Sequence, residues 1–288
     1  MINQVRKTIL LFVFSLTIVQ AGNSVTDKTQ LSQQPENTRY LNKVFKEVDI
    51  KGDINFAQSV NENGTLESLK LDVYAPKGDD KLNRPVILWI HGGGFRPGND
   101  KTQSYIVELA KRFAMKGYVG ISMDYRLRET PMDNMDKTIF DAVEDAGKAL
   151  IWLRENAEML KVDPSKITVA GGSAGGILGS NLCFNDNANI LGVDKSGVMA
   201  FVNLWGSPSP DWGELHVDSN DPATIIVHGV EDKLVAYSNS EKLKAILDEN
   251  NVQNELVTIP GAGHTPVKYM DDFEENISQF LFNLLEEK

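Results

Sequence analysis

The sequence predicts an α/β fold: a mostly parallel central sheet with helices on both faces. Three observations carry that prediction. Short apolar, often β-branched runs recur along the chain, amphipathic helical patterns lie between most of the later ones, and the composition is that of an ordinary globular domain. At 288 residues, 41% hydrophobic and 24% charged, the chain can bury the core such a sheet needs.

The strand-like runs come first at Ile54 to Val60 and Leu69 to Tyr74, flanking the turn signal Asn63-Gly64. They continue at Pro85 to His91, Tyr118 to Met123, Ile167 to Ala170, Val198 to Leu204, Thr224 to His228 and Leu256 to Ile259. The clearest helical patterns are Tyr105-Ile106-Leu109-Ala110-Phe113, Val143-Ala146-Leu150-Leu153, Leu243-Ile246-Leu247 and Phe273-Ile277-Phe280-Leu281-Leu284. Strand and helix alternate from Pro85 to the end, the pattern of a sheet covered on both faces. No repeat, low-complexity segment or second domain is evident, so residues 40–288 are expected to form one domain.

The opening residues read differently. Arg6 and Lys7 precede a largely apolar run from Ile9 to Val19, followed by Val19-Gln20-Ala21 as a small-residue cleavage site. Eleven residues are too few to cross a bilayer, which needs roughly 20. Residues 1–21 are therefore expected to be a secretory signal peptide and the mature protein to be exported, periplasmic or secreted. Residues 22–39 are polar, lack aromatics and show no period, and are expected to be a flexible lead-in. Removing the leader takes two of the 29 basic residues and none of the 40 acidic ones, so the mature chain would carry 27 − 40 = −13. Nucleic acid and anionic membranes are poor partners for such a chain. Cys183 is the only cysteine, which excludes an internal disulfide and metal sites built from several thiolates; it reads as a small buried hydrophobe on a helix.

The chemistry concentrates around Ser173. In TVAGGSAGG, Thr168 to Gly176, six glycines and alanines surround one serine. Lys166 to Ala170 is strand-like and Ala174 onward can open a helix, so Ser173 sits at a strand-to-helix turn. A hydroxyl stands proud of such a turn only where the backbone bends sharply and its neighbours lack bulk. Gly171-Gly172-Ser173-Ala174-Gly175 supplies that pattern, a G-x-S-x-G elbow. The pentapeptide alone also fits a structural glycine turn or a phosphate loop, although the Gly-Lys-Ser/Thr of a Walker-type loop is absent.

A serine hydroxyl needs a base, and four histidines are available. His91 opens His91-Gly92-Gly93-Gly94-Phe95 directly after a strand, where consecutive glycines leave backbone N–H groups free to face an anion; that suits an oxyanion hole better than a base. His228 ends a strand and is expected to pack or to bond backbone, and His216 lies in a polar loop. His264, in Gly261-Ala262-Gly263-His264 just after a strand, is the best base. Among the carboxylates, Asp232 follows a strand end by four residues and precedes a helix, which puts it at the same edge of the sheet. Glu231 is its nearest competitor, with Asp271 and Asp272 weaker.

The chain order Ser173, Asp232, His264 and the stretches around it resemble the α/β-hydrolase carboxylesterases, in particular hormone-sensitive-lipase-like esterases and small bacterial feruloyl and acetyl esterases. The matching stretches are Leu71 to Pro76, His91 to Phe95, Asp124-Tyr125-Arg126-Leu127, Asp163-Pro164-Ser165 before the elbow, His228 to Asp232, and Pro260 to His264. The resemblance implies an α/β-hydrolase fold, acyl transfer through a serine ester, and no metal or organic cofactor. It also implies that Gly93, Gly94 and the N–H of Ala174 form the oxyanion hole, that Asp232 is the acid, and that Asp124 to Leu127 is structural with Arg126 in an ion pair. Only Trp205 to Ala223 separates the strands that many relatives connect through a sizeable cap, so little or no cap and an open site are expected. His264 is followed by Thr265-Pro266 where relatives often have Gly-Phe.

Phe95, Trp205, Trp212 and Tyr237 are the aromatic candidates for the pocket rim, with core packing as the alternative for each. The implied substrate is a small or polysaccharide-linked ester of feruloyl or acetyl type. The alternatives are an amidase, formamidase or peptidase of the same fold and a non-catalytic carbohydrate- or partner-binding module. Activity is expected to fall as His264 takes up a proton.

Overall fold

The computed structural model describes residues 38–207 and 215–287. The expected signal peptide, nearly all of the expected lead-in and Trp212 lie outside those residues.

Eight strands run β1 Val48–Val60, β2 Leu66–Pro76, β3 Arg84–Ile90, β4 Val119–Met123, β5 Val162–Gly172, β6 Val198–Leu204, β7 Ala223–Gly229 and β8 Asn254–Ile259. The helices are α1 Ser104–Lys116, α2 Met135–Glu155, α3 Ala157–Leu160, α4 Ala174–Phe184, α5 Asp186–Ile190, α6 Tyr237–Glu249 and α7 Met270–Glu286. All eight strand-like runs of the sequence are strands. The short α3 and α5, of four and five residues, are additional.

The strands form one sheet in the order β1-β2-β4-β3-β5-β6-β7-β8. β1 and β2 are antiparallel to their neighbours, and β3 to β8 are all parallel. β1 leaves charged residues such as Asp49, Lys51 and Asp53 exposed along the edge of the sheet, which discourages a further strand from adding there. The central strands read as unbroken apolar runs because both their faces are covered. In β3, Val86, Leu88 and Ile90 pack into the core beneath α2 and α4, while Ile87 and Trp89 point to the opposite core beneath α1 and α7. Arg126 crosses from the loop after β4 to α2, where its Nε meets the fully buried Asp145 at 2.7 Å, and Ser59 of β1 donates to the other oxygen of Asp145 at 2.6 Å. The expected ion pair of Arg126 is therefore present and ties α2 to the antiparallel end of the sheet. Arg39, at the end of the expected lead-in, ion-pairs with Asp79. Cys183 is buried on α4, and burial pushes its thiol up to about 12.

This topology fixes where a site can form. After β3 the chain moves outward to β4, then returns to place β5 on the other side of β3. At that reversal the loops leaving neighbouring strands diverge and open a crevice at the carboxyl edge. The segment after β3 begins at His91, and the segment after β5 begins at Ser173.

Candidate active site

Ser173 joins β5 to α4 with φ 53° and ψ −120°, a conformation that side-chain-bearing residues rarely adopt. The surrounding glycines make it achievable by close approach of backbone. A Cβ on Gly175 would lie 2.2 Å from the carbonyl oxygen of Ile90, and one on Gly171 would lie 2.3 Å from that of Gly175. Helix α4 is thus seated directly on the end of β3, and the elbow carries Ser173 into the crevice.

The Ser173 Oγ lies 2.8 Å from Nε2 of His264, and Nδ1 of His264 lies 2.7 Å from Oδ2 of Asp232. His264 follows β8 and Asp232 follows β7, so three loops at one edge of the sheet meet. Two of those loops are fastened together: the N–H of Val230 donates to Ile259 O at 3.1 Å and that of Glu231 to Ala262 O at 2.8 Å. Gly229 is required there, because a Cβ would come within 2.4 Å of Ala262 O. The carboxylate of Asp232 is fully buried, whereas the imidazole of His264 is 16% exposed. Oδ1 of Asp232 accepts the N–H groups of Leu234 and Val235 at 2.8 and 3.0 Å. Desolvation works against its charge, but the bonds from His264, Val235 and Leu234 prevail and hold it below the usual carboxylate range.

On the other side of Ser173, Gly93 and Gly94 adopt φ 105° and 62°, and a Cβ on Gly93 would overlap the side chain of Asn99. The N–H of Gly92 is used, donating to Gln103 Oε1 at 2.8 Å. Those of Gly93, Gly94 and Ala174 make no hydrogen bond to the described residues, and all three residues line the cleft with Ser173. His91, whose place before the glycines suits an oxyanion hole better than a base, supports this loop from below. It is fully buried, stacks on Tyr125 with centroids 4.4 Å apart, and its carbonyl accepts the Tyr125 hydroxyl at 2.9 Å.

The cleft holds ≈ 650 Å³. Met132, Met135, Ile177, Leu234 and Val235 give it apolar walls, with Arg96, Gln103 and Thr265 among its polar ones. Two of the aromatic candidates are corrected here. Trp205 is fully buried and packs against Tyr105 and Phe273 in the core, away from the cleft. Tyr237 does not line the cleft either; its ring lies edge-on to His228 and its hydroxyl bonds Thr258 at 2.7 Å. Phe95 borders the cleft, but its ring is buried edge-on to Tyr125. Of the three, Phe95 is at the cleft as expected, whereas Trp205 and Tyr237 take the alternative of packing beneath the loops. The two methionines from the segment leading into α2 carried no signal beyond helix composition.

The other candidates stand apart. Glu231 is exposed and joins the site only through its backbone, Asp271 ion-pairs with Arg112, Asp272 is exposed on α7, and His216 is exposed beyond β6. His228, read as packing or bonding backbone, does so, with Nε2 at 3.1 Å from Val235 O, and it also reaches Asp232 Oδ2 at 3.0 Å, a contact the reading lacked. The His-to-Asp spacing of four residues was visible in the sequence, but nothing local indicated that the turn between them would fold back.

A hydroxyl bonded to an imidazole that is itself bonded to a buried carboxylate can lose its proton as it attacks, and the free N–H groups beside it can stabilise an oxyanion. Comparison with known proteins bears on the same residues. The family described as BD-FAE matches residues 71–205 and the prolyl oligopeptidase family matches 207–288. Esterase LipC of Mycobacterium tuberculosis is 27% identical over 67% of this chain and 56% of its own length. Among solved structures, a thermophilic esterase, Est2, of Thermogutta terrifontis superposes with TM-score 0.60 at 24% identity, covering 86% of this chain and 96% of that one. A truncated carbohydrate esterase from gut microbiota superposes with TM-score 0.63 at 20% identity over 87% of this chain and 98% of that one. Both show the same fold. The chain spans between 19% and 56% of the lengths of the curated relatives it matches.

Proposed function

We propose, from the premise that the chain belongs to the α/β-hydrolase carboxylesterase family, that it hydrolyses carboxylic esters through an acyl-enzyme on Ser173. The observation that carries this reading is the continuous contact from Ser173 Oγ to His264 Nε2 at 2.8 Å and from His264 Nδ1 to Asp232 at 2.7 Å. In the acylation step, Nε2 of His264 takes the Ser173 proton as Oγ attacks the ester carbonyl carbon. The carbonyl oxygen, now anionic, accepts the N–H groups of Gly93, Gly94 and Ala174. His264 then returns the proton to the departing alkoxide, and water repeats the sequence to release the acid. Each oxyanion donor contributes roughly 10²- to 10³-fold in rate.

The substrate is read as a feruloyl or acetyl ester, small or attached to a polysaccharide. Apolar walls around ≈ 650 Å³ suit an aromatic or short aliphatic acyl group, and one structure of the same fold is described as a carbohydrate esterase. The basic and then apolar leader read at residues 1–21 supports action outside the cytoplasm. A second reading, cleavage of amides or peptides, is favoured by the prolyl oligopeptidase match across residues 207–288.

The test is turnover of p-nitrophenyl acyl esters and methyl ferulate, with matched amides, by the purified protein and its Ser173→Ala variant. Ester turnover that falls by about 10⁵- to 10⁶-fold in the variant is expected. Amide turnover of comparable rate would move the assignment to the second reading, and turnover that survives Ser173→Ala would remove the serine mechanism.

A further inference from the structure

His228 is fully buried and takes no part in the steps above, yet it touches the same carboxylate oxygen as His264. Its hydrogen bonds determine its protonation. Nε2 faces two acceptors, Asp232 Oδ2 at 3.0 Å and Val235 O at 3.1 Å, so Nε2 carries a proton. Burial holds the ring pKa below the ordinary imidazole value, so the ring is neutral and Nδ1 is an acceptor. Among the described residues the only group bonded to Nδ1 is the Ser240 hydroxyl, 2.6 Å away, which must therefore donate.

That donation fixes the direction of a longer chain. With its proton committed to His228, Ser240 Oγ accepts from Ser207 Oγ at 2.8 Å. Ser207 in turn accepts the amide of Asn203 at 3.2 Å, whose own oxygen accepts the N–H of Gly206 at 3.0 Å. Asn203, Ser207, Ser240, His228 and Asp232 are all buried, so no bulk water competes for these bonds. Donors run from β6 and α6 inward to Oδ2 of Asp232, and from the opposite side His264 Nδ1–H donates to the same oxygen.

We infer that His228 is a positioning residue of the catalytic acid, held in its Nε2–H form by Ser240 so that Asp232 carries two imidazole donors on one oxygen. The inference rests on the esterase reading and deepens it. With Oδ1 fastened to two backbone N–H groups and Oδ2 to His228, the carboxylate has one rotameric position and presents its remaining lone pair to His264. Misplacing an orienting group by a small distance is enough to lower turnover about 10²-fold. The second donor also tempers the negative charge that His264 feels. The groups facing His228 are Asp232 and, across it, His264, the Val235 carbonyl, and on the α6 side the Ser240 hydroxyl and the Tyr237 ring, 5.7 Å between centroids.

The experiment combines kinetics with nitrogen-15 NMR of histidine-labelled protein. The wild type is expected to show His228 as the Nε2–H tautomer at neutral pH, with downfield N–H resonances for both His228 and His264. His228→Phe keeps an aromatic ring and removes the donor; kcat is expected to fall about 10- to 100-fold with KM within about twofold. The acid limb of its kcat/KM profile should move to higher pH, because the Asp232 charge then acts more fully on the His264 imidazolium. His228→Gln, whose amide places an N–H near the position of Nε2, is expected to recover most of kcat. Ser240→Ala leaves the ring in place and should release the tautomer. A wild-type His228 found as the Nδ1–H tautomer would overturn the inference whatever the variants do. So would equal losses in His228→Phe and His228→Gln, or a Phe variant with unchanged kcat and pH profile. If the wild type hydrolyses no ester, the functional reading fails on its own, and the tautomer measurement still decides the role of His228.

Discussion

At Asp232 two oxygens have different duties, and a single-atom change separates them. Oδ1 accepts two backbone N–H groups and Oδ2 accepts two imidazoles. In Asp232→Asn the amide oxygen must stay with the backbone donors, so the NH2 group lands where Oδ2 was and faces His264 Nδ1 and His228 Nε2. His264 can then bond only as its other tautomer, with the proton on Nε2 and no lone pair left for Ser173. We expect kcat to fall by about 10⁴-fold with KM little changed, read by steady-state kinetics on a p-nitrophenyl ester. A loss below tenfold would mean that another carboxylate orients His264. The sequence identified Ser173, Asp232 and His264 because each follows a strand and the order fits one fold. It missed that role of His228 because it depends on Ser240 of α6 and Asp232 of the turn after β7 converging on the ring, a convergence that no local pattern encodes. It likewise placed Trp205 and Tyr237 wrongly at the rim: hydrophobicity is the same whether a ring faces a cleft or a core, and only packing decides between them.

At the scale of elements, the loop from His91 to Phe95 is braced at its base by a buried imidazole. His91 donates from Nδ1 to Gly92 O at 2.8 Å, while Nε2 has no partner among the described residues. Burial, the dominant cause, lowers its pKa from 6.5 to about 4. Between those values the unfolded chain binds a proton that the folded protein does not, so stability rises with pH there and is lost as pH falls from 6.5 toward 4. The full span corresponds to about 3 kcal/mol. His228, lowered by its own burial, acts in the same direction. Asp124, whose carboxyl burial pushes upward, acts in the opposite one. Carboxylates held low, such as Asp141 and Asp232, keep their stabilisation until more acidic conditions. Denaturant midpoints measured across this range should therefore decline for the wild type and decline less for His91→Phe, which keeps the stack on Tyr125. Parallel declines would show that acid sensitivity resides elsewhere. The strands were legible as short apolar runs and the main helices through their period of 3.6, which marks a buried face. The close seating of α4 on β3 was legible only as a cluster of glycines; that Gly175 abuts Ile90 O needed the tertiary pairing of β3 with β5.

Over the whole molecule, charge and site are at odds. The chain carries a net charge of −11 from 40 acidic and 29 basic residues, yet no carboxylate lines the described part of the cleft. Its one charged lining residue is Arg96, exposed and in no ion pair with the described residues. A long-range negative field slows the approach of an anionic ester, whereas a guanidinium at the mouth favours it once it arrives. Screening separates the two: at 0.1 M salt, interactions beyond about 10 Å are largely lost, while a contact pair at the mouth is weakened less. An exposed pair is worth up to about 1 kcal/mol, or about fivefold in kcat/KM. For a p-nitrophenyl hemisuccinate compared with p-nitrophenyl butyrate, Arg96→Gln is expected to lower kcat/KM by up to about fivefold on the charged ester and to leave the neutral one unchanged. In the wild type, moderate salt should raise the rate on the charged ester, because the distant repulsion is screened first. Equal effects of the substitution on both esters would assign Arg96 to loop stability, and a rate on the charged ester that falls with salt would mean that the guanidinium, and not the net charge, governs its capture.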